Sequence, residues 1–200
     1  MIPIRSALAR PFTDIRRLIG GILVSSIPII HLTSLGYFLR CATQTTEKLP
    51  AWNQPIYLWM QGLQASIIIA IYHIPVAILF FVLSRFALPT ALGIMMAVIN
   101  IVTLAATWYT FPAALTNFAQ NGWRAAFSPV QLRRTIVSNI YAKYWVCGMI
   151  IVTVGTYGGG LLAQLPPTLW ILRLLILGSS FFIVGVIFWT LIGSAREYGR

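Results

Sequence analysis

His31 and His73 are the only imidazoles in this 200-residue chain, and each falls near the middle of a long apolar segment. A neutral imidazole in that setting could ligate the metal of a tetrapyrrole. The plainer assignment is a hydrogen bond to a neighbouring helix, or to a backbone carbonyl freed by Pro28 or Pro75, with no cofactor held. Other chemistry is hard to assemble from this composition. The carboxylates are Asp14, Glu47 and Glu197, none central in an apolar run. That disfavours acid/base catalysis by paired carboxylates and ion-coupled transport through a buried acid. The zinc-protease pattern H-E-x-x-H and a phosphate-cradling glycine loop are both missing from the sequence. A serine–histidine pair would have to use His31 or His73. The expectation is a non-enzymatic protein with no catalytic and no metal site. By default it holds no cofactor, with a tetrapyrrole on His31 or His73 as the alternative. Cys41 and Cys147 read as small apolar fillers, acylation of an interfacial thiol being the alternative.

The elements that would carry these residues are set by hydropathy. The hydrophobic fraction is 58% and the charged fraction 8%, against roughly 45–50% and about 25% in soluble domains. Too few charged side chains exist to coat a soluble surface of this size, so the chain is read as an integral membrane protein. Its net charge of +11 does not imply nucleic acid, because the arginines sit in short segments between apolar runs. Such placement holds loops at the cytoplasmic face, close to anionic headgroups. Arg16, Arg17, Arg133, Arg134 and Lys143 are the candidate headgroup contacts.

The fold class expected is all-α: a polytopic helical membrane protein with four to five transmembrane or re-entrant segments and one interfacial amphipathic helix, forming a single domain over residues 1–200. A basic interfacial segment covers 1–17. Its run into the apolar stretch superficially resembles a secretory signal, but that stretch, 18–39, is too long for a signal core, and the segment is read as part of the mature protein. Spans are expected over 63–84, 90–118, 145–165 and 168–193. The 18–39 segment, interrupted by Pro28, is read as broken or re-entrant. If it crossed, eight basic residues would lie on one side and five on the other; if it turns back, twelve face Arg85 alone. The second distribution fits the positive-inside bias, with the C-terminus and loop 119–144 cytoplasmic. Arg173, inside the last span, is expected to snorkel to the outer interface, an anion- or lipid-binding role being the alternative.

Ser128-Pro129-Val130-Gln131 has the form of a capping box with proline at the first helical position. It opens an amphipathic helix over 128–144 lying in the membrane plane, with Leu132, Ile136, Val137, Ile140, Tyr141 and Tyr144 on one arc, and leads into an interfacial aromatic belt at Tyr141, Tyr144 and Trp145; an ordinary cytoplasmic extension of the next span is the alternative. Gly155-x-x-x-Gly159 offers a close packing face between helices, or else marks where its helix ends.

Several short motifs occur in a recognisable order. They are Gly20-Gly21-Ile22-Leu23, Gly36-Tyr37-Phe38-Leu39-Arg40, Leu49-Pro50-Ala51-Trp52-Asn53 and Gly62-Leu63. Further on come Phe111-Pro112-Ala113-Ala114-Leu115, Ala125-Ala126-Phe127 and Leu191-Ile192-Gly193-x-x-Arg196. Over residues 11–198 the chain resembles the bacterial and archaeal membrane-protein family numbered four thousand and thirteen among domains of unknown function. It departs where that family carries acids around Trp52, having Ala51 and Asn53. The resemblance implies a small multi-pass helical protein and names no activity.

On these grounds the expected function is a non-enzymatic membrane subunit or scaffold, in a prokaryotic cytoplasmic membrane, with lipids and other membrane proteins as partners. The alternatives are a tetrapyrrole-binding subunit of a redox or light-harvesting complex, and a passive pore or lipid-handling protein.

Overall fold

The computed structural model describes the chain apart from residues 1, 28, 45, 47, 87, 88, 163, 165, 199 and 200 and the side chains of 162, 167, 197 and 198. Among the described residues there is no strand. The helices are α1 (Ile4–Ala9), α2 (Ile15–Ser26), α3 (His31–Thr43), α4 (Pro55–Arg85), α5 (Thr90–Asn121), α6 (Trp123–Ala126), α7 (Pro129–Ile136), α8 (Asn139–Leu162) and α9 (Trp170–Tyr198). Four of them, α4, α5, α8 and α9, are long and apolar enough to cross a membrane. The protein is an all-α, polytopic membrane protein.

Helix limits differ from the sequence reading for local reasons. α4 starts at Pro55, because Gln54 adopts a left-handed conformation (φ 60°) and proline supplies the first helical position. The expected 63–84 span is thus the outer part of a longer rod. α5 ends at Asn121 because Gly122 takes φ 81°, which favours glycine. The amphipathic helix expected over 128–144 is cut short. Ser128 caps α7 by accepting from the Gln131 N–H, but α7 stops at Ile136, and the Ser138 hydroxyl accepts from the Ile140 N–H to start α8. Tyr141 and Tyr144 therefore belong to α8. Tyr141 is fully buried and donates to Tyr109 O at 2.7 Å, not exposed in an interfacial belt. The helix break expected at Pro28 falls on a residue outside those described; α2 ends just before it and α3 begins three residues after it.

α2 and α3 are 12 and 13 residues long, about 18–20 Å each at 1.5 Å per residue. They run antiparallel, with the Ser25 and Ser34 hydroxyls 2.8 Å apart near the turn. Trp59 of α4 donates to Ile29 O in that turn at 3.2 Å. α4–α5 and α8–α9 are two antiparallel hairpins. They meet where α1, α2, α3, α6 and α7 also pack, a junction holding the main core cluster with Phe38, Leu58, Leu115, Phe182 and Ile192. Beyond it the long helices are largely uncovered, with Ile78, Ile101, Val154 and Ile171 each more than half exposed.

Close backbone approach sets the junction's geometry. A Cβ on Gly36 would overlap Leu58 O, and one on Gly62 would overlap Leu32 O, so α3 and α4 cross with their backbones in contact. Gly193 meets Ala42 O in the same way. In α8, Gly155 and Gly159 face Val184 and Ser180 of α9, while Gly158 and Gly160 meet nothing and the helix runs on past all of them. Identical substitutions should therefore have opposite signs. Gly36→Ala is expected to destabilise by about 2 kcal/mol or more through overpacking. Gly160→Ala is expected to be neutral or to stabilise by up to about 1 kcal/mol. Thermal unfolding in detergent reads both, and equal effects would contradict this packing.

Candidate functional site: the arginine-stapled junction and its cleft

The junction is assembled by arginines that donate to backbone carbonyls. Arg10 follows α1 and is fully buried. Its Nη1 donates to Cys41 O and to Thr190 Oγ1, each at 2.9 Å, its Nη2 to Gln44 O at 2.8 Å and its Nε to Lys48 O at 3.3 Å. One guanidinium thus satisfies carbonyls left open at the end of α3, holds the following loop and reaches α9. Burial lowers its pKa from the ordinary guanidinium value. Beside it Cys41 is buried, and its thiol is pushed up to about 12. Such a thiol is a weak nucleophile, which counts against acylation there.

The loop from 44 to 54 is held at further points. Asp14 caps α2, accepting from the Arg17 N–H at 3.2 Å, and pairs with Arg17 Nε at 2.9 Å, while Arg17 Nη1 donates to Leu49 O. Trp52 donates to Arg17 O at 3.1 Å and stacks on Tyr37 with ring centres 4.0 Å apart. The Tyr37 hydroxyl donates to Pro50 O at 2.8 Å. Arg40 Nη1 donates to Ala51 O, Asn53 O and Asn53 Oδ1. Among the described residues, neutral oxygens alone thus receive this arginine. Across the junction Arg196 Nη1 donates to Thr116 O at 2.8 Å.

Proline fixes how the hairpins join. Pro112 inside α5 cannot donate to the carbonyl four residues back, that of Trp108. The Trp145 indole of α8 donates to that oxygen at 3.0 Å. Tyr109 donates to Ile136 O at 2.8 Å, and Tyr72 to Ala126 O at 2.7 Å. α5 and α8 are thus linked near the junction.

Between the hairpins lies a cleft of about 510 Å³, lined by residues of α3, α4, α5, α8 and α9. Its walls include Phe38, Ile69, Trp108, Val152, Phe181 and Trp189, with Thr156 and Ser180 among the few polar side chains. Gly159 and Gly185 lie in the wall.

The histidines lie behind this wall. His31 packs edge-on to Phe181, with ring centres 6.4 Å apart, and His73 packs against Trp108 and Phe111. His73 Nδ1 lies 2.8 Å from Ile69 O, the carbonyl of its own preceding turn. It does not reach Ile71 O, the carbonyl that Pro75 leaves without a donor. Among the described residues no three His, Cys, Asp or Glu side chains come together as metal ligands. Of the candidate headgroup contacts, Arg16, Arg133, Arg134 and Lys143 are exposed, whereas Arg17 is engaged with Asp14 and Leu49. Arg10 and the cleft went unnoticed in the sequence, Arg10 because it lies in a basic run that reads as surface.

Fold and site together define a small polytopic helical membrane protein built on a polar-stapled junction. A family's sequence model, described as Protein of unknown function (DUF4013), matches residues 19–193, and the chain belongs to that family. No curated protein and no solved structure matches the chain. The motif residues Gly21, Gly36, Tyr37, Arg40, Trp52, Gly62, Pro112, Gly193 and Arg196 all fall in or beside the junction. Arg10→Met should lower stability by about 4 kcal/mol, because buried carbonyls and a hydroxyl lose a charged donor. That is roughly a 10 °C fall in the unfolding midpoint for a chain of this size. Arg16→Met, at an exposed site, should leave the midpoint unchanged.

Proposed function

We propose that this is a non-enzymatic, lipid-handling protein of the prokaryotic cytoplasmic membrane, in which the cleft between the hairpins accommodates an acyl or isoprenoid chain. The cleft itself carries this reading: a cavity of about 510 Å³ walled almost entirely by apolar groups and opening between helices that face hydrocarbon. Apolar pockets of this size suit ligands recognised mainly by shape and burial. The scarcity of charge in the wall argues against an aqueous pore.

Basic side chains gather at the junction, from Arg5, Arg16 and Lys48 to Arg124, Arg133 and Lys143, and this supports a cytoplasmic junction with the C-terminus on the same side. The shortness of α2 and α3 and their return to the junction support a re-entrant hairpin that does not cross, since a span takes roughly 20 residues. A second reading, a subunit that packs against other membrane proteins, is favoured by the almost bare apolar stretches of α4 and α5.

A lipid with a photoreactive acyl chain tests the first reading. Cross-links mapped by mass spectrometry should concentrate on Met149, Val152 and Phe188 over the outward faces of α4, and Val152→Trp should abolish the cleft labelling alone. Uniform labelling of all four long helices would reject it. Pull-down in mild detergent tests the second, which requires a stoichiometric partner.

A further inference from the structure

We propose that the α7–α8 corner binds the phosphate of an anionic phospholipid, with one acyl chain of that lipid lying along α8. The corner forms a shallow basin of about 520 Å³ lined by Val130, Arg133, Arg134, Val137 and Ser138. Arg10, Arg17, Arg40 and Arg196 are all engaged with backbone oxygens. The guanidiniums of Arg133 and Arg134, by contrast, make no hydrogen bond or ion pair among the described residues. Two guanidiniums lining one basin suit a phosphate, whose oxygens accept several charge-assisted hydrogen bonds at once. Val130 in α7 and Val137 just past its end are 62% and 69% exposed. Apolar side chains flanking cations in this way belong at a headgroup boundary and would be misplaced in open water.

The chain's path follows from helical spacing. A groove of about 280 Å³ on α8 is lined by Trp145, Val146, Met149, Ile150, Thr153 and Val154. Positions 142, 145, 146, 149, 150 and 153 share one stripe of α8, whose first turn follows directly on Ser138 of the basin. From Trp145 to Val154 the helix rises about 13 Å, close to the depth of one leaflet in a hydrocarbon core about 30 Å thick. The Trp145 indole is fixed by its bond to Trp108 O, so the groove's entrance has a rigid wall. This site lies on the outer face of α8 and shares only Met149 with the cleft lining. It therefore stands independently of the lipid-handling proposal.

The test uses the full chain in nanodiscs of phosphatidylcholine titrated with phosphatidylglycerol, with bound lipid read by native mass spectrometry. The wild-type chain should retain phosphatidylglycerol selectively. R133Q/R134Q should weaken that retention about thirtyfold, the loss expected for two interfacial arginines. Val146→Trp, which fills the groove, should weaken it several-fold, and R5Q, at an exposed arginine outside the candidate headgroup contacts, should leave it unchanged. Equal retention by R133Q/R134Q overturns the proposal, as does an equal loss in R5Q, which would mean diffuse surface charge. Displacement of the lipid by millimolar inorganic phosphate also overturns it, making the basin a site for the free anion. Undiminished binding in Val146→Trp removes the acyl path along α8.

Discussion

A chain with 14 basic and 3 acidic residues cannot neutralise its buried cations with carboxylates, and the structure turns instead to the backbone. Arg10, Arg17 and Arg40 donate to main-chain carbonyls at the end of α3 or in the loop after it, and Arg196 to Thr116 O within α5. Each bond meets two requirements at once, since an open carbonyl and an unpaired guanidinium are both costly away from water. Because the carbonyls belong to different elements, the arginines also fix where those elements sit. Arg10 does this for α3, for the loop that follows it and for α9.

The remainder of the architecture follows from that fixed point. α3 is held at its C-terminal end and can lie against α4 only because Gly36 and Gly62 remove the side chains between two backbones. α5 loses an internal hydrogen bond at Pro112, and α8 takes up the freed oxygen through Trp145. The two long hairpins are therefore joined through polar contacts at one end and separated by an apolar cleft farther out. Their outward faces need no protein cover, because hydrocarbon solvates isoleucine and valine as well as a core does.

Hydropathy made the four long helices readable from sequence, since a run of about 20 apolar residues has few alternatives. The interruption of the 18–39 segment was also visible, through Pro28. The junction was not legible. Arg10 sits four residues before Asp14 among other arginines, and no local pattern separates a buried guanidinium from an exposed one. Gly36 and Gly62 are 26 positions apart, so their mutual contact leaves no periodic trace of the kind Gly155 and Gly159 share. The extent of α7 was misread for a different reason. The apolar arc continues across 137 and 138 as though one helix ran through, and only the capping bond from Ile140 to Ser138 restarts the chain in a new direction.

Arg10 meets Thr190 across 180 positions, and Ile2 and Ala7 share a small cluster with Ile187 and Leu191. α1 and Arg10 consequently have no permanent seat until α9 has been synthesised and inserted. Any truncation upstream of α9 leaves Ile2, Ala7 and Arg10 without these partners.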